Sequence, residues 1–332
     1  MKDAASVLER LWAEGVSADD LPEIAAARVG DVDPRLDGEL AVFVAWLAAD
    51  EANTAGIDNA ITERLTGDPA AELLILSVEL RAAMHRRDHA AIDLALAAID
   101  ERLGDAPGDG RRATARAAAE IALAEAALYS QDLETASHCL DPVSAVAPNA
   151  FRVAALVRHV TVALARPDLE AAQTRARQAL MLARQANRPL QAQQAQLLLG
   201  LVAYLAGDAS TMRSTLQPLL EANIGGPLVP LLAAGLAGPD EALSLLGAGV
   251  HISPERGDAS GYALCALVGA RHHVAHGRRP DALLAMSAVR VRLGGHAPQV
   301  AAVLDAELLA WRHAWGASAF AEAERSAIAR LS

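Results

Sequence analysis

The stretch TVALARPDLEAAQTRARQALMLARQANRPLQAQQAQLLLGLVAYLAGDAS, residues 161–210, decides the fold. Apolar residues recur in it at the three- and four-residue spacing of a helix face. The pattern breaks only at Arg166-Pro167-Asp168, Asn187-Arg188-Pro189 and Gly207-Asp208. Asp and Pro suit the first turn of a helix, Asp by capping free N–H groups and Pro by its fixed φ. Gly suits the residue after a helix, where the backbone turns left-handed. Breaks this short leave no room for anything but antiparallel neighbouring helices.

Outward from this stretch the same grammar continues. Asp68-Pro69, Asp132 and Pro239-Asp240 mark further helix starts, and Gly277 and Gly316 further ends. The spacing predicts helix pairs at 68–87 with 89–103, 111–130 with 132–146, 150–165 with 168–186, and 190–206 with 209–222. A short pair follows at 227–237 and 239–247, then 260–276 with 279–293 and 298–315 with 317–330. Aligned on their central turns, the pairs share a small residue just after the turn, at Ala91, Ala136, Ala172, Ala242 and Ala282, with Met212 as the exception. The intervals are 45, 36, 40, 30 and 40 residues, in the range of helical repeat arrays.

Composition agrees. Of 332 residues, 53% are hydrophobic but only 3% aromatic, so Ala, Leu and Val must fill the core. Strand-length β-branched and aromatic runs are scarce, which argues against a sheet. The net charge of −12 disfavours nucleic acid and anionic membrane surfaces, both of which select Lys and Arg. No window is long and apolar enough to span a bilayer. The first residues lack the order of a signal peptide. Cys139 and Cys265 sit in apolar helical stretches and read as buried free thiols. The expectation is a cytoplasmic protein.

Leu199-Gly200 followed by Gly207-Asp208, then Asp132 with Ala136 and Pro148, and Asp168 with Ala172 and Ala179, resemble the tetratricopeptide repeat pattern. The likeness covers roughly residues 70–330. Most of the family's first-helix aromatics are missing, with Tyr129 and Tyr204 near the expected places, and the spacing is irregular. In this the chain looks like the degenerate, roughly 40-residue repeats in sensor regions of bacterial transcription activators. The resemblance implies an all-α fold, an α-solenoid of antiparallel helix pairs in which each pair buries its apolar face against the next. It also implies that the first helix of each pair lines a concave binding face. Aligned on that face are Glu125, Tyr129, Thr161, Gln194, Tyr204 and Arg271, the candidate binding residues.

Residues 1–66 read as a separate acidic segment before the repeats of 67–332, with short helices at 3–14, 19–28, 35–53 and 57–66. Five Lys or Arg stand against fourteen Asp or Glu there, a net of −9, which argues against DNA binding. The segment is either an N-terminal cap on the repeats or an acidic docking module.

Catalytic constellations do not converge. GDAPGDG, residues 104–110, lacks the Lys-Ser/Thr of a phosphate loop. His85 with His89, and His272 with His276, are four apart, but each pair falls at a first helix's end beside arginines, where positive or polar groups complement free carbonyls. His138 and Cys139 are sequential on a helix and point apart. Asp19-Asp20 with Glu23 has no second acidic motif to share a metal and reads as a cap for the helix that follows. Trp311 and Trp315 share a face at one end, either sealing the terminal repeat or offering self-association through the terminal helices. The expectation is therefore a non-enzymatic scaffold binding a protein or peptide, with no cofactor and no metal. The alternative is a sensor whose array changes curvature on binding a ligand.

Overall fold

A computed structural model describes residues 3–29, 32–48, 57, 59–103, 110–222, 228–234, 242, 244–247, 259–294 and 298–329. Among these residues every regular element is helical and no strand occurs. In the N-terminal part the helices are α1 (Ala4–Glu14), α2 (Leu21–Ala27), α3 (Pro34–Ala48) and α4 (Asn59–Leu65). Then come α5 (Pro69–Arg86), α6 (His89–Leu103), α7 (Gly110–Tyr129), α8 (Leu133–Val146), α9 (Asn149–Ala165), α10 (Leu169–Gln185) and α11 (Pro189–Leu205). After these lie α12 (Ala209–Glu221), α13 (Leu228–Ala234), α14 (Ala259–Ala275), α15 (Arg279–Gly294), α16 (Pro298–Trp315) and α17 (Ala317–Ile328). The expected helix ends agree with these to within a residue or two almost throughout. The expected residues 49–53 of the third helix, and residues 227, 235–237, 239–241 and 243 of the short pair, lie outside the described residues.

One turn is used repeatedly. The amide of Asp88, Asp132, Asp168, Arg188, Asp208 or Arg278 donates to the carbonyl five residues back, at 2.8–3.0 Å. Except for His273, which accepts from Arg278, that acceptor is Ala: Ala83, Ala127, Ala163, Ala183 and Ala203. The chain leaves the helix through a left-handed residue, as at Arg87, Gln131, Asn187, Gly207 and Gly277. This hydrogen-bond geometry satisfies carbonyls at a helix C-terminus. The following Asp then caps the next helix: Asp88, Asp132, Asp168 and Asp208 accept from the amides of Ala91, Thr135, Ala171 and Thr211. In this register Ala136 and Ala172 align with Ile92, one residue past Ala91, because Ile92 is the residue whose amide donates to the Asp88 carbonyl.

The chain forms two compact units, which divide between Leu198 and Leu199, within α11. The charge break near residue 66 is a boundary of composition and does not coincide with that division. In the first unit α5 packs on α6 and α7, α7 on α8 and α9, and α9 on α10. The N-terminal helices lie against the first members of these pairs. Helix α1 packs on α7 and α3 on α5, and the rings of Trp46 and Phe151, the latter on α9, meet edge to face at 5.0 Å. Val7, Leu11, Trp12, Leu40, Phe43 and Trp46 share one buried core with α5, α7 and α9. In the second unit α14 packs on α15 and α16, and α15 on α16 and α17. Its core includes Leu267, Met286, Leu304 and Trp311. Trp311 stacks on Trp315 at 5.3 Å, and the Arg279 guanidinium lies over the Trp315 ring.

Candidate functional site

Residues 15–20, between α1 and α2, reach the N-terminus of α11. Gly15 adopts φ +76°, and a side chain there would meet Phe151 Cδ2 at 2.8 Å, so Gly is required twice over. Asp19 accepts from the Leu190 amide at 2.8 Å and the Gln191 amide at 3.3 Å. The sequence suggests that these acids cap the helix that follows; Asp19 instead caps one more than 160 residues away. Asp20 is buried. Its Oδ2 accepts from Arg188 Nη1 at 2.6 Å and from the Ser17 amide at 2.8 Å, and its Oδ1 accepts from Arg10 Nη1 at 2.8 Å. Burial pushes the Asp20 carboxyl up, but Arg188, the Ser17 amide and Arg10 outweigh it and hold the group below the usual carboxylate range.

A second ionic cluster ties three first helices together. Glu125 on α7 accepts from Arg81 Nε of α5 at 2.8 Å and from Arg158 Nε of α9. Burial again acts against the charge, and the two arginines prevail, lowering the Glu125 carboxyl. Arg81 is nearly inaccessible. It donates to the Trp46 carbonyl and holds its guanidinium 4.6 Å from the Trp46 ring centre. The candidate residue Glu125 therefore joins neighbouring helices under the N-terminal segment.

Between these two clusters a cleft of about 520 Å³ remains open. Its walls are the 16–21 segment, the end of α3 from Val44 to Ala48, Ala154 and Arg158 of α9, and Leu190, Gln191 and Gln194 of α11. Most of the lining is apolar, interrupted by the polar side chains of Ser17, Arg158, Gln191 and Gln194. Two buried lining residues carry a polar atom without a partner among the described residues: the Trp46 indole Nε1 and Gln191 Oε1. The other end of the Gln191 amide donates to the Ala150 carbonyl at 3.0 Å, which fixes its orientation. A buried polar group left unpaired costs about 1–3 kcal/mol. Two in one cleft are therefore notable.

Of the six candidate residues, Gln194 lines this cleft and Glu125 holds one of its walls through Arg158. Tyr129 and Thr161 are exposed outside it. Tyr204 and Arg271 belong to the second unit. Tyr204 is exposed at its margin, 37% accessible, whereas Arg271 is committed to Glu307 through two 2.8 Å hydrogen bonds. These bonds raise the arginine and lower the glutamate from their usual ranges. Trp46, Arg158 and Gln191 were not legible as site residues, because their partners lie tens to more than a hundred positions away in sequence.

The histidine pairs stand at helix termini, at the end of α5 with the start of α6 and at the end of α14. His85 and His89 are exposed. The rings of His272 and His276 stack at 5.7 Å, and His276 Nδ1 lies 2.8 Å from the His272 carbonyl. No group of three or more His, Cys, Asp or Glu among the described residues is placed to hold a metal ion. No helix of the described residues is long and apolar enough to cross a membrane.

Comparison with known proteins returns no matching family model, no matching curated protein and no matching solved structure.

Proposed function

We propose that this chain is a non-enzymatic, cytoplasmic adaptor: an α-solenoid of tetratricopeptide-like helix pairs that binds a protein or peptide partner. The repeated turn, with its Ala acceptor and Asp cap, supports a repeat origin for the helix pairs. The packing of first helices on first helices, α5 on α7 and α7 on α9, supports stacking of the pairs. The single observation that carries the binding reading is the cleft beside Trp46 and Gln191. It lies between the N-terminal segment and the first helices α9 and α11, and Arg158 on its wall is the partner of Glu125. Charge supports a partner other than nucleic acid.

The experiment is capture of a partner on the full chain, identification by mass spectrometry, and titration of the purified partner against Gln194→Ala, Tyr129→Ala and Tyr204→Ala. Truncating a residue central to an interface typically costs about 2 kcal/mol or more, roughly thirtyfold in Kd. An unchanged Kd in all three variants, with helicity intact, overturns the reading that these faces bind.

A further inference from the structure

The two unpaired atoms beside the cleft are chemically complementary. An indole N–H can only donate. The Gln191 amide has its nitrogen committed to Ala150, so its oxygen can only accept. Neither atom is reached by bulk water. A carboxylate would satisfy the indole and be repelled by the amide oxygen, and an ammonium would do the reverse. A neutral peptide unit satisfies both, its carbonyl accepting from Trp46 and its N–H donating to Gln191. The surrounding wall, with Leu21, Val44, Leu47 and Ala154, suits an apolar side chain next to that unit.

We propose that this cleft is the recognition site for an extended segment of the partner, reading one peptide unit through Trp46 and Gln191 and one apolar side chain against the wall. The assignment rests on the adaptor reading above. Both atoms are covered in the unliganded chain, so binding would need lining side chains to move; Leu190 and Gln194 are exposed there, and surface rotamers change in picoseconds to nanoseconds. Main-chain hydrogen bonds would then provide binding, and the apolar pocket selectivity.

The test is nuclear magnetic resonance on the intact chain. The four tryptophans give four indole N–H signals, and loss of one in Trp46→Phe assigns Trp46. The probe is N-acetyl-leucine N-methylamide, a blocked residue with two peptide units. A fragment of this size at ordinary ligand efficiency binds with a Kd of about 1 mM. The expected result is a saturable shift of the Trp46 indole. Methyl 2-acetoxy-4-methylpentanoate, the ester analogue in which oxygen replaces both N–H groups, should bind about tenfold more weakly to the unaltered chain, the effect of one hydrogen bond. Gln191→Met should weaken the amide by a similar factor. An unmoved indole, equal binding of ester and amide, or a long-lived buried water at Trp46 that the probe does not displace each overturns the assignment. If a captured protein partner binds Gln191→Met with unchanged Kd, the adaptor reading stands and the peptide-unit assignment falls. If the probe binds as expected but no captured protein competes with it, the assignment also falls, in favour of a small amide ligand.

Discussion

Asp20 and Arg188 meet through a 2.6 Å hydrogen bond that closes 168 positions of sequence, with both side chains almost wholly buried. The bond joins the acidic N-terminal segment to the start of α11. Breaking a buried pair from one side leaves a charge stranded and costs about 3–5 kcal/mol. Asp20→Ala should therefore lower unfolding free energy by that order in urea titrations, whereas replacing Asp20 and Arg188 together by apolar residues should cost less than Arg188 left alone. Because the Asp20 carboxyl is held below its ordinary value, its contribution is present above about pH 4 and is lost as pH falls through the lower, folded value. The stability of the unaltered chain should thus fall more steeply below pH 4 than that of Asp20→Asn. Parallel slopes would refute the coupling.

Removal of residues 1–48 tests whether the N-terminal segment is detachable. Val7, Leu8, Leu11, Trp12, Ile24, Leu40, Val42, Phe43 and Trp46 are buried in the shared core. At about 1.5–3 kcal/mol each, their burial matches or exceeds the 5–15 kcal/mol net stability of a typical domain. The truncated chain should lose the cooperative melt of the first unit instead of exposing an open, folded groove. A truncated protein with an unchanged melting temperature would make the segment a removable module.

Two glycines should resist alanine. At Gly15 the left-handed backbone and the approach of Phe151 both oppose a Cβ. At Gly200, inside α11, an added Cβ would collide with Leu216 Cδ2 and Cγ, which are buried. Overpacking of this kind costs about 1–3 kcal/mol, against up to about 1 kcal/mol regained in helix propensity at Gly200. Both variants should melt lower in calorimetry, with Gly200→Ala the milder. A neutral or stabilised Gly200→Ala would mean that α11 and α12 are less closely packed than described.

His159 should make the first unit sensitive to mild acid. Burial holds its imidazole below the ordinary histidine range and Arg175 adds to this, with Asp141 opposing from 3.4 Å. The unfolded chain therefore takes up the proton first. Stability from this group is full above about pH 6.5 and declines as pH falls toward the folded value, by at most about 1.4 kcal/mol per pH unit. His159→Gln should flatten the stability profile over that interval. An unaltered profile would show that the imidazole is protonated freely in the folded chain.

Helix boundaries were legible because their causes are local. Asp132, Asp168 and Asp208 cap the turn beside them, and the Ala residues that accept the closing hydrogen bond sit five positions back. The shared register was nearly legible: alignment by small residues chose Ala91, where the hydrogen bonds align Ile92. The candidate site was not legible, for reasons that differ by residue. Glu125 was read as a residue of the binding face, and its partners Arg81 and Arg158, on other repeats, are too distant in sequence to announce themselves. Arg271 stands among the candidate binding residues, but Glu307, 36 positions on, engages its guanidinium through two hydrogen bonds. Asp19 has the composition of a local cap, and nothing near it in sequence announces Leu190.

The span from Asp19 to Leu190 also orders events on the ribosome. Each helix hairpin can close as soon as it is made, but the segment bearing Leu11, Trp12 and Phe43 emerges before the surfaces that cover it. At about 5–20 residues per second, some 170 residues take roughly 10–30 s to synthesise. Until α5, α7 and α9 are made its apolar side chains lack their cover, and for the whole interval its acids Asp19 and Asp20 lack Leu190 and Arg188, making the nascent chain a natural client for chaperones that hold unfolded chains. Slowing translation before codon 190 should lengthen that dependence, while slowing it after codon 200 should not.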